Sequence, residues 1–344
     1  MAKIGIGFLA AGPVAQSIHI PAIRRYPEDL AIAQIMDIDA GLAERLANQH
    51  GAGWTTDEDV LINDPNVQIV VVGSPNHHHA RQVIKACEAG KKLVLAEKPL
   101  ATSPEELAAI RVAAEKSGTA IVVGAMHAFD TAYLEALKYW KSLNATVSSV
   151  EVSCYLPPNS EFVDLATTLL NPSDSAAPVG GGPRPAPNAA TKVANGILGL
   201  AMHDIPLLRE FLSESPVLDF VSPLNPFGYL LQGKINNANF RIIGRLPGEW
   251  ESHWVFRAIG PKALFEIEFQ PSYVLAGSGK VRVATANETC EFRSELSAYE
   301  AEWEEIISIV KHGNSPRYSL KRIEEDTAFA LSLVNQVAQQ LGGN

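Results

Sequence analysis

Short apolar runs alternate with helix-like stretches over residues 3–124, and this alternation constrains the fold more than any other feature. The runs show no polar alternation, as expected of parallel strands that are buried on both faces. Five runs stand in this part of the chain, at 3–9, 31–36, 67–72, 93–96 and 120–124. We therefore predict a doubly wound α/β unit built on a parallel sheet.

A tight turn follows the first run. A glycine-rich turn between a strand and a helix is the dinucleotide fingerprint, because amides at the helix N-terminus receive the pyrophosphate. The pattern here is Ala-x-Gly-x-x-Ala. Gly12 keeps the position where the backbone approaches phosphate, Ala15 is an accepted variant, and Ala10 departs from the glycine of the tight turn. We predict that Ala10, Gly12, Pro13 and Val14 bind a cofactor.

Asp37 stands at the end of the second run. A carboxylate at this place binds the ribose hydroxyls of the adenosine, although its spacing from Gly12 slightly exceeds the expected ~20 residues. Such a carboxylate would repel a 2′-phosphate, so NAD is predicted in preference to NADP. The alternative is that Asp37 only begins a turn, as strand-terminal aspartates commonly do.

Ser74, Pro75 and Asn76 follow the third run, and three histidines come directly after them. We expect Ser74 to Asn76 to line the cofactor cleft, with His79 beside them at the start of a helix over 80–89. Adjacent histidines point in different directions, and no carboxylate or cysteine stands at helical spacing from them. No metal site is therefore predicted.

The fourth run ends at Glu97-Lys98-Pro99. Proline disfavours the helical conformation for the residue before it, so Lys98 is expected to be extended just past the strand. Ligands bind outside the carboxyl ends of the strands in open α/β sheets. Glu97 and Lys98 are therefore candidates for the cofactor cleft. The alternative is a solvated lysine that caps a strand.

The pattern changes after a helix predicted around 131–141. Residues 157–188 are rich in proline, glycine, serine and alanine, which is typical of either a mobile lid or a disordered loop. We predict one helix over 190–212 with His203 in its middle, where a histidine is more often a core residue than a catalyst. Strands are predicted at 147–155, 217–222, 227–233, 238–246, 251–259, 263–270 and 279–285, which favours a mostly antiparallel open sheet.

At 344 residues the chain exceeds what one hydrophobic core usually serves, so we predict two domains. A dinucleotide-binding domain is expected over 1–127, and an α+β domain for substrate binding and oligomerisation over 128–344. The last of two final helices, at 297–312 and 321–340, is expected to pack back on the first domain. Exposed apolar faces of open sheets often dimerise, so a homodimer or homotetramer through the second sheet is predicted.

The net charge is −10 and the chain has no block of lysine and arginine, which argues against a nucleic-acid partner. No apolar run approaches the ~20 residues that cross a bilayer, so no membrane partner is predicted. The N-terminus enters a strand at once, which leaves no room for a signal peptide. Cys87, Cys154 and Cys290 are few, odd in number and far apart, so a cytoplasmic location is expected.

These motifs together resemble the Gfo/Idh/MocA family of glucose–fructose oxidoreductases and inositol dehydrogenases, over nearly the whole chain. The resemblance implies an N-terminal Rossmann domain and a C-terminal domain with an open sheet. It also implies hydride transfer between a nicotinamide cofactor and a hydroxyl carbon of a sugar, polyol or related cyclic compound. The motifs that carry it are Gly12-Pro13-Val14-Ala15-Gln16, Ser74-Pro75-Asn76 with His79, Ala89-Gly90-Lys91, Glu97-Lys98-Pro99 and Leu200-Ala201-Met202-His203-Asp204-Ile205.

The resemblance assigns catalytic roles to two residues. In the family, the lysine that matches Lys98 lies between nicotinamide and substrate, and the histidine that matches His203 is the acid/base. Imidazole suits removal of a hydroxyl proton near neutral pH, and an ammonium stabilises an oxygen on which negative charge develops. Lys98 and His203 are therefore expected to bind substrate as well, with His127 and Lys192 as further substrate-binding candidates and Arg184 as another.

The chain departs from the family pattern at three positions. Gly199 stands where the family usually has an aspartate one helical turn before the histidine, and Pro206 stands where another aspartate is common. Ala128 replaces an arginine that often follows the fifth strand. Asp204, next to His203, is expected to face elsewhere, whereas His127 is expected to supply a polar group to the cleft.

Two other functions stay open. The chain could use bound NAD for a transient oxidation in a lyase- or glycosidase-type reaction, since the usual aspartate is missing at Gly199. It could also be a non-catalytic protein that senses a sugar or a cofactor, as the changes at Ala10, Gly199 and Ala128 suggest. The intact Glu97-Lys98-Pro99 and His203 argue for an enzyme.

Overall fold

The computed structural model describes residues 2–171, 187–247 and 252–342. The chain divides into two compact units, and each unit combines separate parts of the sequence. The first contains the described residues within 1–124, 163–185 and 302–324. The second contains those within 125–162, 186–301 and 325–344.

A six-stranded parallel sheet forms the centre of the first unit. Its strands lie in the order β3-β2-β1-β4-β5-β6, so the chain reverses its direction of travel across the sheet between β1 and β4. All residues of β1, β4 and β5 are buried, which explains their unbroken apolar runs. The predicted doubly wound fold is confirmed. The strands are β1 (Ile4–Leu9), β2 (Leu30–Met36), β3 (Gly53–Thr55), β4 (Ile69–Val72), β5 (Leu93–Ala96) and β6 (Ala120–Val123).

Three of the five helices between these strands begin after a residue whose side chain caps the first turn, namely Asp39, Asp57 and Ser103. Before the helix at 104–117, the Ser103 hydroxyl accepts the amide of Glu106, and Pro104 occupies the first turn, as expected. The helix expected over 80–89 begins earlier, directly after Pro75, so the three histidines lie in its first turn. The helices are α1 (Ile20–Ile23), α2 (Ala40–His50), α3 (Glu58–Asn63), α4 (Asn76–Glu88) and α5 (Pro104–Ser117).

An eight-stranded sheet forms the centre of the second unit. Its order is β14-β13-β12-β11-β7-β10-β9-β8, and every neighbouring pair is antiparallel except β7 with β10. The predicted open, mostly antiparallel sheet is confirmed. The strands are β7 (Ser149–Tyr155), β8 (Val217–Pro223), β9 (Phe227–Ile235), β10 (Ala238–Leu246), β11 (His253–Ile259), β12 (Ala263–Glu268), β13 (Lys280–Thr285) and β14 (Thr289–Phe292).

The single helix predicted over 190–212 is wrong. One helix ends at Gly199, a 3₁₀ turn covers Ala201–His203, and a second helix begins at Ile205. Glycine is a poor helix former, and Pro206 has no amide to bond the carbonyl of Met202, although proline is tolerated in a first helical turn. The remaining helices are α6 (Thr131–Ser142), α7 (Asn159–Ala166), α8 (Ala189–Gly199), α9 (Ile205–Phe211), α10 (Ala298–His312) and α11 (Leu320–Leu341).

Both C-terminal helices contribute to both units, since residues 302–324 belong to the first and residues 325–344 to the second. Ile323 is buried in the core of the first unit, with Tyr318 and Leu320 packed against that core. In the part of the chain that the structure describes, no helix combines the length and apolarity needed to span a membrane.

Candidate functional site

The carboxyl ends of five strands in the first sheet lie in one row. Leu9 pairs with Met36 on one side and with Val72 on the other, and the row continues through Ala96 to Val123. The predicted cofactor-binding segments 10–14, 37, 74–76 and 97–98 directly follow these strand ends. The sheet therefore brings them to one edge, beside the point where the strand order reverses, which is the ligand-binding edge of doubly wound folds.

The turn after β1 is open at Gly12 and strained at Ala10. No described heavy atom lies within 4 Å of the position that a Cβ would take on Gly12, so a ligand can approach the backbone there. Ala10 has a φ of 99°, a conformation that favours glycine. A π-helical turn over Ala15–His19 then leads into α1. The departure from the glycine pattern at Ala10 thus has a structural cost.

An Ala10→Gly variant is expected to increase the free energy of unfolding by about 1 kcal/mol, because relief of backbone strain outweighs the added chain entropy of glycine. Ala11→Gly is the matched control, since Ala11 lies in the same turn without a positive φ and is fully buried. It should instead destabilise the protein. Chemical unfolding of both variants checks this, and equal destabilisation by the two substitutions would contradict it.

Gln16 binds the same turn to a distant part of the first unit. Its Nε2 donates to the carbonyl of Ala11 at 2.7 Å and to that of Leu170 at 3.1 Å, and its Oε1 accepts the amide of Leu170 at 2.8 Å. The predicted lid at 157–188 thus begins with helix α7. The segment after that helix is bound at Leu170 to Gln16, beside the turn that follows β1. Residues 172–186, with Arg184, lie outside the described residues.

The Asp37 carboxylate lies beside the glycine turn. Its Oδ2 accepts the amide of Ala11 at 2.9 Å, and its Oδ1 accepts the amide of Asp39 at 2.9 Å. The hydrogen bond from Asp39 closes a local turn, which is the alternative role that the sequence left open for Asp37. The hydrogen bond from Ala11 fixes the carboxylate beside the row of strand ends. Ile38, the next residue, is 63% exposed, so an apolar surface adjoins this carboxylate.

The segment after β4 is held by His79. Pro75 and Asn76 are exposed at the strand-end row, while the Ser74 hydroxyl donates to Gln82 at 2.6 Å. His79 is buried, with its Nε2 2.6 Å from the Ser74 carbonyl and its Nδ1 2.8 Å from the Pro99 carbonyl. The ring therefore connects the segments after β4 and β5. Among the described residues, no group of histidine, cysteine, aspartate or glutamate side chains could hold a metal ion.

Glu97 and Lys98 follow β5 and have different surroundings. The Glu97 side chain is 13% exposed and binds Nε2 of His19 at 3.0 Å. Burial acts to raise the pKa of Glu97, but the hydrogen bond from His19 and the nearby charge of Lys98 outweigh it and lower that pKa. Lys98 is half-buried, and its ammonium has no hydrogen bond to any side chain or carbonyl within the described ranges. It is thus available to a ligand.

A second carboxyl group, Glu302, is buried near Glu97. It is fully buried on α10, and neither of its oxygens has a hydrogen-bond partner among the described residues. Burial raises the pKa of Glu302 well above its usual range, and the nearby charges of Glu97 and Glu305 add to the effect. The surroundings of Glu302 therefore disfavour its charged form.

In the second unit, His203 lies in a cluster of buried rings. Its ring centroid is 5.6 Å from that of Trp254 and 5.7 Å from that of His127. Asp204 does not simply face away from this group, because its carboxylate accepts Nε1 of Trp254 at 3.0 Å and contacts Nδ1 of His127 at 3.0 Å. His127 also stacks on Phe269, with centroids 3.5 Å apart.

The other second-unit candidates differ in their exposure. His127 is only 2% exposed, so its immediate surroundings are the cluster around Asp204. Lys192 is exposed on the first turn of α8. Gly199 has no described atom within 4 Å of an added Cβ, and Ala128 is buried. The missing aspartate therefore leaves open space beside the helix end.

Sequence reasoning leaves Trp254 open as either a pocket residue or ordinary sheet surface, and it misses the role of Asp204 in this cluster. The residues around Trp254 alternate between the two faces of β11, with His253 exposed and Trp254 1% exposed. That alternation was a usable signal, since it assigns the two neighbours to opposite faces. His19, Gln16 and Trp303 were also missed, and their contacts depend on residues far away in sequence.

Comparison with known proteins finds a family match over part of the chain. Residues 2–125 match the model of the Gfo/Idh/MocA oxidoreductase family, described by its NAD-binding Rossmann fold. Residues 2–125 are thus similar to the NAD-binding domain of this oxidoreductase family. The resemblance inferred from the motifs is thereby confirmed, and the matched segment contains all of the predicted cofactor-binding residues.

Curated relatives match parts of the chain. The inositol 2-dehydrogenase/D-chiro-inositol 3-dehydrogenase of Lactiplantibacillus plantarum is 32% identical over 39% of this chain and 37% of its own length. The 1,5-anhydro-D-fructose reductase of Ensifer adhaerens is 29% identical over 61% of this chain and 57% of its own length. An uncharacterized oxidoreductase of Bacillus subtilis, YrbE, is 32% identical, and the chain spans 48% of its length.

Solved structures match the whole chain. KijD10, a 3-ketoreductase from Actinomadura kijaniata in complex with NADP and TDP-benzene, has a TM-score of 0.72 at 17% identity, with 98% of both chains covered. A putative myo-inositol dehydrogenase from Sinorhizobium meliloti has a TM-score of 0.71 at 17% identity, again with 98% of both chains covered. At this identity the likeness shows that the fold of both units is shared.

Proposed function

We propose that the protein is an NAD-dependent oxidoreductase that moves a hydride between the nicotinamide and a secondary alcohol of a sugar, polyol or related cyclic compound. The observation that carries the proposal is the row of strand ends, which brings the open turn at Gly12, the Asp37 carboxylate and Lys98 to one edge of the first sheet. The match of residues 2–125 to the oxidoreductase family model and the named activities of the relatives support it.

The residues of the first unit fit a dinucleotide. Gly12 leaves its backbone accessible, Asp37 is oriented by the Ala11 amide for the ribose hydroxyls, and Pro75 and Asn76 are exposed along the same edge. When bound, the nicotinamide would supply the hydride chemistry. Because a carboxylate at Asp37 repels a 2′-phosphate, we propose NAD in preference to NADP, although KijD10 is described with NADP.

We assign the remaining chemistry to two residues of this chain. The Lys98 ammonium would hydrogen-bond the substrate oxygen on which charge develops, which lowers the energy of the transition state. His203 would take up or return the hydroxyl proton, a role suited to imidazole near neutral pH. His127 and Lys192 stay proposed substrate-binding residues, and we expect His127 to act within the cluster around Asp204.

The first test is the absorbance of reduced nicotinamide, recorded with NAD and with NADP over a panel of sugars and polyols. We expect an increase with NAD on at least one substrate, and tighter binding of NADH than of NADPH in fluorescence titrations. A protein that binds neither cofactor would contradict the proposal and favour a non-catalytic sensor.

A second candidate function is favoured by the open space at Gly199. Bound NAD would then oxidise the substrate only transiently, to permit elimination or glycosidic cleavage, with no net redox change. A protein that retains cofactor and consumes a glycoside without accumulating reduced nicotinamide would support this reaction over a dehydrogenase.

We also propose that the second sheet forms a homodimer interface, although its outer face is not the apolar surface that the sequence suggested. Six charged side chains of alternating sign lie in register across this face. Each lies on a different one of six neighbouring strands, which follow the order β10, β7, β11, β12, β13 and β14. The register pairs run continuously through the row, and several neighbours form ion pairs. The members are Arg241, Glu151, Arg257, Glu266, Arg282 and Glu291.

This row of charges is complementary to itself. A two-fold axis through its centre reverses the order, so each positive side chain meets a negative one of the second copy. Arg257 would face Glu266, and Arg282 would face Glu151, each from the partner copy. Such an isologous contact would draw two identical faces together, and salt would weaken it.

Charge reversal tests this interface. Arg257→Glu alone should shift the protein towards the monomer in analytical ultracentrifugation, because two negative side chains then face each other across the axis. The double variant Arg257→Glu with Glu266→Arg should restore the dimer. Lys138→Glu, on the exposed surface of α6, is the matched control. If the Arg257→Glu variant stayed dimeric, the dimer interface would not be this row of charges.

We keep the prediction of a reducing, cytoplasmic location. The three cysteines are free thiols, and Cys87 and Cys154 are buried. Burial raises the pKa of both buried thiols, which keeps them protonated and poorly reactive. Free, protonated thiols are what we expect of a protein in a reducing compartment.

A further inference from the structure

The two residues that flank Lys98 are each bound by a buried histidine. Glu97, on one side, contacts His19, and the carbonyl of Pro99, on the other side, contacts His79. Both histidines are 1% exposed. All five residues belong to the first unit.

The His19 ring has a defined tautomer. Trp303 Nε1 donates to its Nδ1 at 3.3 Å, so the hydrogen of the neutral ring is on Nε2, which donates to Glu97 Oε1 at 3.0 Å. The Trp303 and His19 rings also meet edge to face, with centroids 5.9 Å apart. The indole therefore fixes the orientation of the imidazole, and the imidazole fixes the carboxylate of Glu97.

The backbone at Gly124 closes the other side of Glu97. A Cβ built on Gly124 would lie 2.8 Å from Glu97 Oε1, closer than side-chain atoms normally approach. The carboxylate thus occupies the space that a larger residue would need at the end of β6. Glu97 has little freedom to move between His19 and this backbone.

His79 holds the backbone on the other side of Lys98. Its two nitrogens face the carbonyls of Ser74 and Pro99, and the ring donates to both only when both nitrogens carry hydrogen. The contact joins the segment after β4 to the segment after β5. Pro99 is thus fixed relative to the predicted cofactor-lining residues.

We propose that His19 and His79 are positioning residues for Lys98, and that Trp303 acts through His19. Lysine carries its charge on a flexible four-carbon stem, so the position of its ammonium depends on how firmly the adjacent backbone is held. Loss of either histidine releases one neighbour of Lys98. This inference rests on the proposed function of Lys98.

Kinetics of His19→Gln and His79→Gln test the proposal. We expect kcat to fall by about 10- to 100-fold in both variants, as for a small misplacement of a reacting group, and His19→Gln should change the NADH affinity little. In a Lys98→Ala background the same substitutions should cause no further loss of kcat. His312→Gln is the matched control, since His312 is exposed at the end of α10. An equal loss in the Lys98→Ala background would overturn the proposal.

A second readout does not depend on turnover. Limiting acetic anhydride labels lysine amines, and mass spectrometry gives the rate at Lys98, with exposed Lys92 as the internal standard. The rate at Lys98 should rise in both histidine variants and rise less in Trp303→Phe, which keeps the ring and removes the donor. If the labelling rate at Lys98 were unchanged in folded variants, the proposal that His19 and His79 position Lys98 would be wrong. Altered labelling in a protein inactive on every substrate would instead count only against the proposed function.

Discussion

A Lys98→Met variant is expected to lower kcat by about 10²- to 10³-fold, the usual loss when one donor to a developing negative charge is removed. Methionine keeps most of the length and apolar contacts of the lysine stem but has no ammonium. The affinity for NADH should change little, because the turn at Gly12 and the Asp37 carboxylate are untouched. Stopped-flow absorbance of reduced nicotinamide and fluorescence titration measure the two quantities separately.

The control for this variant is Lys92→Met, at the opposite end of β5, where the side chain is exposed. Full activity is expected for it. If Lys98→Met were equally active, Lys98 would be the solvated strand cap that the sequence left open. A His203→Ala variant should lose about 10²- to 10⁴-fold in kcat, the range for general acid–base catalysis, and retained turnover would remove His203 from the mechanism.

A Glu302→Gln variant is expected to be more stable than the natural protein at alkaline pH, and the difference should disappear in acid. The folded-state pKa of Glu302 is raised above its ordinary value of 4.5, so its contribution to stability is fully present below that pH. The contribution is lost as the pH rises towards the folded-state pKa, because the unfolded chain then releases a proton that the folded chain keeps. The difference in unfolding free energy grows by up to about 1.4 kcal/mol per pH unit.

Chemical unfolding across the pH range measures this difference. Glu304→Gln is the matched control, since Glu304 is exposed on the same helix and should give a difference that barely changes with pH. A Glu302→Gln difference that stays flat with pH would show that the carboxyl group ionises normally in the folded protein. Glutamine also keeps the shape of the side chain, so the pH dependence isolates the charge.

The sequence predicted those parts of the site that follow directly from strand ends. Asp37, Ser74 and Lys98 each come immediately after an apolar run, and parallel strands bring such residues to one edge whatever the rest of the chain does. Ala10 was also recognised from the sequence as a departure from the glycine pattern. What the sequence could not supply was its consequence, a φ of 99°.

The contacts that orient these residues join distant parts of the chain. His19 meets Trp303 from 284 positions away, and His127 meets Asp204 from 77 positions away. Hydrophobic periodicity reports which face of an element is buried and carries no information on the partner across the core. The break at 199–206 was missed for a related reason, since the apolar spacing of a continuous helix was weighed above the local effects of Gly199 and Pro206.

The contribution of residues 302–324 to the first unit matters during synthesis on the ribosome. All six strands of the parallel sheet are made before the second sheet, yet Ile323 of its core and Trp303 beside His19 are translated only after that second sheet. A nascent chain of the first 124 residues therefore exposes apolar surface that waits for a distant segment. Such exposed surface is where partly made chains aggregate or recruit chaperones. The first unit can therefore complete its core only after the second sheet has also been made, even though its own sheet is made before that one.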